Sequence, residues 1–278
     1  MGPPMATKKK KAASQLAPKK AAPAKQAPST KAAPAKQAPL KQAAGAKPRT
    51  LAIDIGGTGV KALVLDANGK ALTERVRVVT PKPATPAAVL GVIREIRKSF
   101  GEFERVSCGF PGVVADGVVH TAVNLGTELW RGFPLAKKLS AAFGGVPSRV
   151  LNDAGVQGFG IVQGKGTEMV LTLGTGMGCA LFIDGRYVPN LELAHHPFHK
   201  RKTYEEWIGM KALERVGKHE WNKRVREVLD LVQPIFNPTT IYLGGGNAHK
   251  LHGKLPRNVK ISDNVAGLLG GIALWRET

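Results

Sequence analysis

The stretch Leu51-Ala52-Ile53-Asp54-Ile55-Gly56-Gly57-Thr58 carries the strongest fold signal in the chain. It is an apolar run that ends in a glycine turn, and a second apolar run, Val60–Leu65, follows it. This pattern predicts two β-strands joined by a loop whose glycines let backbone N–H groups approach an anion closely. Thr58 can add a hydrogen bond to the anion, whereas Asp54 would act through magnesium or its water shell. Alone, however, such a stretch is more often a plain turn.

Two further glycine turns follow predicted strands later in the chain. Gly174, Thr175 and Gly176 come after the apolar run 168–173, and Gly244, Gly245 and Gly246 come after 240–243. Ligands in α/β folds bind where loops converge at the carboxyl ends of strands. Three such turns in order predict a phosphate-binding cleft, in which Gly56, Gly57 and residues 174–176 hold phosphate and residues 244–246 lie against a nucleoside.

The order of the predicted elements indicates an α/β fold with two lobes facing one cleft. Asn68-Gly69 marks a hairpin turn between strands, and Thr85-Pro86 marks the start of a helix. Beyond the first strand we expect strands at 60–65, 72–79, 105–108, 168–173, 179–183, near Tyr187 and at 240–243, and helices at 87–100, 203–216, 222–232 and 265–275. The small lobe would comprise residues 50–123, joined by 265–278, and the large lobe residues 124–264.

A candidate catalytic pair, Asn152-Asp153, comes between a short predicted strand and a helix. A hydroxyl that attacks a phosphoryl group needs an acceptor for its proton, and an Asp in the cleft supplies one. The Asn152 amide offers both a donor and an acceptor, which suits neighbouring sugar hydroxyls. By itself, the pair is more often an ordinary helix N-cap.

The ordered motifs DIGGT followed by a lysine, GFPG, NLxxxxW, LNDA, LGTGMG, LELAHH and LGGGNA resemble those of the ROK sugar kinases. The resemblance covers about residues 50–278. It implies the two-lobed actin-like ATPase (ribonuclease H-like) fold, with Lys61 among the phosphate-binding residues and Asp153 as the general base. The residues that it places against the sugar are Asn124, Asn152, Asp153, Glu192 and His195.

The sequence departs from the family pattern in the segment around the signature histidine. Ala194 stands where the family has glycine, and no cysteine follows His195 at the positions of the family's zinc module. We therefore expect no structural zinc, and we assign Glu205, after the missing module, as a further sugar-binding residue. A metal held among His195, His196 and His199 is disfavoured because Pro197 breaks the helical spacing. The loss of the module is similar to the polyphosphate-dependent glucokinases of this family.

Charge is concentrated in the N-terminal segment. The chain has a formal net charge of +21, with 41 Lys or Arg and 20 Asp or Glu. Twelve of the basic residues and none of the acidic ones lie in residues 1–50, which are rich in Ala, Lys, Pro and Gln. We expect residues 1–49 to be a disordered tail. It is either a linker without a specific partner or a contact for a polyanion such as polyphosphate or nucleic acid.

Other features limit the class of protein. No run of about 18 apolar residues is present, so no membrane span is predicted. Cys108 and Cys179 are too few for a disulfide framework, which suits a reducing cytoplasm. We expect a magnesium-dependent kinase that transfers phosphate from ATP or polyphosphate to a hexose, with O6 of glucose as the expected acceptor. Homodimers are common in the family that the sequence resembles, so the resemblance makes a homodimer one expected assembly.

Two other functions are weighed against the kinase. Some family members are repressors, so a sugar-sensing or nucleic-acid-associated regulator is the alternative. Residues 1–49, however, cannot form the helix-turn-helix that such repressors carry. A chaperone-like or cytoskeletal ATPase is disfavoured by the sugar-type motifs.

Overall fold

The first sheet grows outward from the stretch that precedes the first glycine turn. In the computed structural model, which describes Gly2 and residues 48–262 and 266–276, this stretch is strand β1 (Thr50–Ile55). The predicted tail, except for Gly2 and residues 48–49, lies outside the described residues. The next elements are β2 (Val60–Leu65), β3 (Val76–Val78), α1 (Pro86–Arg97), β4 (Arg105–Phe110), β5 (Val114–Ala115), β6 (Val118–Val119), α2 (Thr127–Trp130), α3 (Leu135–Ala142), β7 (Ser148–Asn152) and α4 (Asp153–Phe159).

The first sheet has five strands in the order β3-β2-β1-β4-β7. β1 is antiparallel to β2 and parallel to β4, and β4 is parallel to β7. Helix α1 begins at the predicted N-cap, where Thr85 Oγ1 accepts a hydrogen bond from Ala88 N, and its apolar stripe packs on the sheet. Because β1, β4 and β7 run the same way, the loops that follow them meet at one edge.

The third strand is shorter than the prediction of 72–79. Leu72 N donates to Val64 O at 2.8 Å, but Val64 N donates to the Thr73 hydroxyl oxygen at 3.0 Å. A side-chain oxygen thus replaces the backbone acceptor, and the ladder stops. It resumes only at Val76, which pairs with Ala62.

The second sheet repeats the arrangement with its own helices. Its region contains β8 (Thr167–Leu173), β9 (Met177–Ile183), β10 (Arg186–Val188), β11 (Pro197–His199), β12 (Lys202–Thr203), α5 (Tyr204–Ile208), α6 (Met210–Phe236), β13 (Thr240–Gly244) and β14 (Val259–Ile261). The strand order is β10-β9-β8-β13-β14, with β13 parallel to β8 and β14. The buried face of α6 packs on this sheet through residues that include Trp221, Val225 and Leu229.

The two helices predicted at 203–216 and 222–232 are divided differently in the structure. Helix α5 ends at Ile208, because the next residue, Gly209, has an extended ψ of 176°. Helix α6 then runs through the rest of both predicted segments. Within α6 the chain bends at Gly217, where φ is 76° and ψ is 164°. Glycine tolerates this conformation, so the break lies at Gly217 itself rather than across a loop.

The predicted C-terminal helix at 265–275 is also only partly correct. It comprises one turn, α7 (Ala266–Leu269), and a 3₁₀ segment, Gly270–Trp275. The Ser107 hydroxyl donates to Gly271 O at 2.6 Å, and Trp275 Nε1 donates to the same hydroxyl at 2.8 Å. These contacts hold the segment on the first sheet, and they take up a carbonyl that a continuous helix would use.

The division between the two sheets falls later than the predicted lobe boundary. β7 is the fifth strand of the first sheet, so this sheet continues to Asn152 rather than stopping at residue 123. We therefore propose a boundary after Asn152. Among the described helices, none combines the length and apolarity that crossing a bilayer requires.

Candidate active site

A cleft of about 600 Å³ lies where the loops of the two sheets converge. It is lined by the glycine turns after β1, β8 and β13, and by the start of α4. The predicted site residues that line it are Asp54, Gly56, Gly57, Thr58, Lys61, Asn124, Asn152, Asp153, Gly174, Thr175, Gly176, Glu192, His195, Glu205, Gly245 and Gly246. Gly244 does not line it, because this residue is still part of buried β13 and faces the Gln157 side chain.

The first turn is a tight loop beside an ion pair. Asp54 and Lys61 are directly opposite each other on β1 and β2, and Lys61 Nζ lies 2.7 Å from Asp54 Oδ2. Gly56 N donates to Gly59 O at 3.0 Å, which closes the turn. The antiparallel register therefore places a carboxylate and a cation together at the mouth of the first glycine turn.

The second and third turns are joined by Asn247, a residue for which the sequence predicts no role. Asn247 is buried, its backbone N–H donates to Leu173 O at 2.8 Å, and its Nδ2 donates to Gly174 O at 3.0 Å. Gly245 has a φ of +84°, and a Cβ there would overlap the Leu173 backbone. This close approach requires glycine, and it brings the turn after β13 against the turn after β8.

Asn152 caps helix α4 and also contacts the Glu192 carboxylate. Its Oδ1 accepts hydrogen bonds from Ala154 N at 3.0 Å and Gly155 N at 3.2 Å, so it caps α4. Its Nδ2 lies 3.2 Å from Glu192 Oε1 and also donates to Gly112 O at 3.3 Å. One amide thus fixes the start of α4 and the carboxylate of a distant loop.

Asp153 is the first residue of α4, and its carboxyl group lies within the cleft. Burial raises the pKa of Asp153 to about 7, and the negative charge of Asp54 adds to the increase. Burial disfavours the charged form of an acid, and a second carboxylate repels it further. A carboxyl group that titrates near neutral pH is suited to accepting a proton.

Polar side chains from four segments surround the space next to Asp153. His195 Nε2 lies 3.5 Å from Glu192 Oε2. Glu205 Oε2 accepts hydrogen bonds from Asn124 Nδ2 at 3.4 Å and Met177 N at 3.3 Å. Burial raises the pKa of Glu192, His195 opposes the increase and Glu205 adds to it. The arrangement offers amide and carboxylate groups to a ligand that carries several hydroxyls.

Further residues line the cleft without having been predicted. Arg75 enters from the segment before β3, and His249 and Lys250 enter from the 3₁₀ turn after β13. No local motif distinguishes these three exposed or partly exposed residues in the sequence. Among the described residues, no three His, Cys, Asp or Glu side chains come together in a way that could hold a metal ion.

Comparisons with known proteins give consistent results. A model described as "ROK family" matches residues 50–190. The polyphosphate glucokinase of Mycobacterium tuberculosis (strain CDC 1551 / Oshkosh) is 32% identical over 233 residues, which are 78% of this chain and 88% of that protein. The crystal structure of inorganic polyphosphate/ATP-glucomannokinase from Arthrobacter sp. strain KM matches with a TM-score of 0.75 and 32% identity, over 82% of this chain and 100% of that one.

A second structure extends the likeness of the fold. A ROK family glucokinase from Streptomyces griseus, in complex with glucose and AMPPNP, matches with a TM-score of 0.67 and 22% identity, over 81% of this chain and 98% of that one. The predicted two-lobed actin-like ATPase fold is confirmed by these neighbours. The family model spans β1 to β10 and includes the first two glycine turns and Asp153. On this evidence, the chain belongs to the ROK family.

Proposed function

We propose that this protein is a sugar kinase that transfers a phosphoryl group from ATP or inorganic polyphosphate to glucose, giving glucose 6-phosphate. The observation that carries the proposal is the position of Asp153, whose pKa is raised to about 7. It lies in one cleft that is lined both by the glycine turns and by the polar side chains of Asn124, Glu192 and Glu205. The relatives named polyphosphate glucokinase and glucomannokinase support the same reaction.

In the proposed mechanism the sugar binds among the side chains near Asp153. The carboxylates of Glu192 and Glu205 accept hydrogen bonds from its hydroxyls. The Asn124 and Asn152 amides and the His195 imidazole can donate to or accept from the remaining hydroxyls. Asp153 accepts the proton of the attacking sugar hydroxyl. At the same time, the oxygen of that hydroxyl forms a bond to the terminal phosphorus of the donor. The bond from that phosphorus to the donor's bridging oxygen breaks, and the shortened donor leaves with the electron pair. The sugar-binding residues contribute by holding the hydroxyl in line.

The glycine turns and Asp54 would hold the donor. The backbone N–H groups of Gly56 and Gly174 close their own turns. Those of Gly57, Thr58, Thr175 and Gly176 would donate to phosphate oxygens, and the glycines leave room for the anion to approach. The chemistry here fits magnesium, because Asp54 presents a partly exposed carboxylate to the cleft and donor phosphates supply further oxygen ligands. When bound, this ion would neutralise charge on the transferred group. Lys61 adds a second positive charge next to Asp54.

The regulator hypothesis is less well supported than the kinase. A sugar sensor needs the sugar-binding residues. It does not need a carboxyl group whose pKa is near neutral pH beside a phosphate-binding loop. Asp54 and Asp153 are both present and both line the cleft.

We also propose a cytoplasmic protein, because Cys108 and Cys179 are free and buried thiols. Homodimer formation and polyanion binding by residues 1–49 stay predictions.

One assay tests the proposed reaction. Purified protein is incubated with magnesium, a hexose panel and either ATP or polyphosphate, and phosphorylated sugar is quantified. We expect glucose 6-phosphate with at least one donor. No phosphorylated sugar with either donor, from folded protein that binds glucose, would refute the kinase assignment and favour the sensor.

Replacing Gly176 by Ala tests the sugar role of Glu205. A Cβ at Gly176 would overlap the Glu205 carboxylate, so this side chain must rotate away from Asn124 and Met177 N. Loss of a charge-assisted hydrogen bond predicts an increase of about tenfold in the KM for glucose. Gly174→Ala is the matched control, since a Cβ there has no neighbour within 4 Å and Glu205 stays in place. Equal glucose KM values for the two variants would remove Glu205 from the sugar site.

A further inference from the structure

A second cavity carries positive charge along the segment that leaves the cleft. Residues 249–260 contain four Lys or Arg and no acidic residue. Lys250 lines the cleft, whereas Lys254 and Arg257 line a separate cavity of about 380 Å³ together with Arg226 of α6. We name this second site, lined by Arg226, Leu229, Asp230, Lys254, Leu255, Pro256 and Arg257, the Lys254 cavity.

The segment between the two sites is fixed to helix α6. Asn222 is buried, its Nδ2 donates to Lys250 O at 3.3 Å, and its Oδ1 accepts from His252 N at 2.9 Å. One turn later on the same face, Arg226 Nη2 donates to His252 O at 2.6 Å. The segment is therefore held by two side chains of α6, so that its cations are positioned before any ligand arrives.

Glycine at position 253 makes this attachment possible. Gly253 has a φ of +79°, and a Cβ there would lie 2.8 Å from Arg226 Nη2. Any other residue would be strained and would displace the guanidinium. The chain thus turns at Gly253 with Arg226 packed against it, and Lys254 follows on the exposed side.

The charges of this surface are largely uncompensated. Among the described residues, Arg226, Lys254 and Arg257 form no salt bridge. Of the lining residues that the structure describes, Asp230 is the one carboxylate in the Lys254 cavity, and three cations face it there. Within residues 48–262 and 266–276, no Phe, Tyr or Trp lines either the cleft or the Lys254 cavity, which leaves no platform there for stacking a nucleic acid base. The surface therefore suits a polyanion without bases.

We propose that the Lys254 cavity, with Lys250 at the rim of the cleft, binds the distal part of a long inorganic polyphosphate whose terminal phosphate lies in the cleft. The proposal rests on the proposed function, in which polyphosphate is a donor. The spacing is compatible with one extended ligand, because four residues from Lys250 to Lys254 span at most about 14 Å. ATP and tripolyphosphate would end within the cleft.

The double variant Lys254→Gln/Arg257→Gln tests the proposal in the full-length protein. With long-chain polyphosphate, we expect the KM to rise about tenfold, and the slope of log KM against log salt to fall by about 1.4, as for two lost phosphate contacts on a single-stranded polyanion. With ATP or tripolyphosphate, KM should change less than about twofold. The control is the double variant Lys137→Gln/Lys138→Gln, which removes the same charge from exposed positions of helix α3. This variant should leave the KM for every donor unchanged.

Direct binding of labelled long-chain polyphosphate separates the two proposals. One outcome would be that wild type binds the polyphosphate, the Lys254/Arg257 variant binds it about tenfold more weakly, and no sugar is phosphorylated. This outcome would support the Lys254 cavity as a polyphosphate site and would refute the proposed reaction. Equal KM changes for long and short donors would overturn the cavity proposal, as would an equal effect of the α3 control. Single-stranded RNA that binds wild type as tightly as polyphosphate, with the same dependence on Lys254 and Arg257, would overturn the assignment to polyphosphate.

Discussion

Replacing Asp153 by Asn is expected to lower kcat by about 10³-fold while KM for glucose changes less than about threefold. The side chain keeps its size and can still accept the hydrogen bond that Asp153 Oδ1 receives from Ala154 N at 2.8 Å. What it loses is the ability to take the proton of the attacking hydroxyl. The effect should therefore appear in the chemical step rather than in binding. Steady-state kinetics with glucose and the better donor provide the measurement.

Stability supplies the control for this variant. Because burial raises the folded-state pKa of Asp153 above its ordinary value of 3.8, the carboxyl stabilises the fold when protonated and loses that contribution as pH rises from about 4 to 7. At pH 8 the melting temperature of the Asn variant should therefore equal or exceed that of wild type. Any such difference in melting temperature should vanish near pH 4. An Asp153→Asn protein that keeps most of its kcat would reject Asp153 as the base.

The largest expected effect on stability comes from Gly270→Ala. A Cβ at this position would overlap the Val156 carbonyl oxygen and crowd Gly160 N. Both atoms belong to the backbone of α4 or its C-cap, so no rotamer change can relieve the overlap. We expect a loss of about 3 kcal/mol and a decrease in melting temperature of about 10 °C. Thermal unfolding monitored by circular dichroism checks this result.

Gly91→Ala is the matched control for that substitution. Gly91 lies in the middle of α1, and a Cβ there has no neighbour within 4 Å. Alanine is favoured over glycine in a helix interior, so this variant should gain about 0.5–1 kcal/mol. If the two alanine variants had equal stability, the packing of the C-terminal segment on α4 would be wrong.

Local chemistry explains which parts of the site could be predicted from the sequence. The first glycine turn and the N-cap Thr85 depend on neighbouring residues, and the structure has both where they were expected. β3 was predicted too long because a hydrogen bond from Val64 N to the Thr73 hydroxyl ended the ladder. Alternation of apolar residues carries no information about such a side-chain acceptor.

Long-range pairing explains what the residue pattern could not show. Asn124 and Glu205 are 81 positions apart, and Asn152 and Glu192 are 40 positions apart. Asn124, Glu192 and Glu205 were assigned through the family resemblance alone, because these contacts depend on how two sheets face each other. Asn247 and Lys250 had no assigned role, since both acquire their position from the turn after β13. Gly244 was misplaced by one residue, because β13 extends through it.

The pH dependence of kcat/KM for glucose tests the role of Asp153 most directly, because it reports the ionisation of groups in the free enzyme. A base whose pKa is about 7 is protonated and inactive at lower pH. We predict that kcat/KM rises about tenfold per pH unit below this pKa and levels off above it, and that Asp153→Asn removes this limb. A limb near pH 7 that persists in Asp153→Asn would contradict the assignment of Asp153 as the residue that activates the sugar hydroxyl.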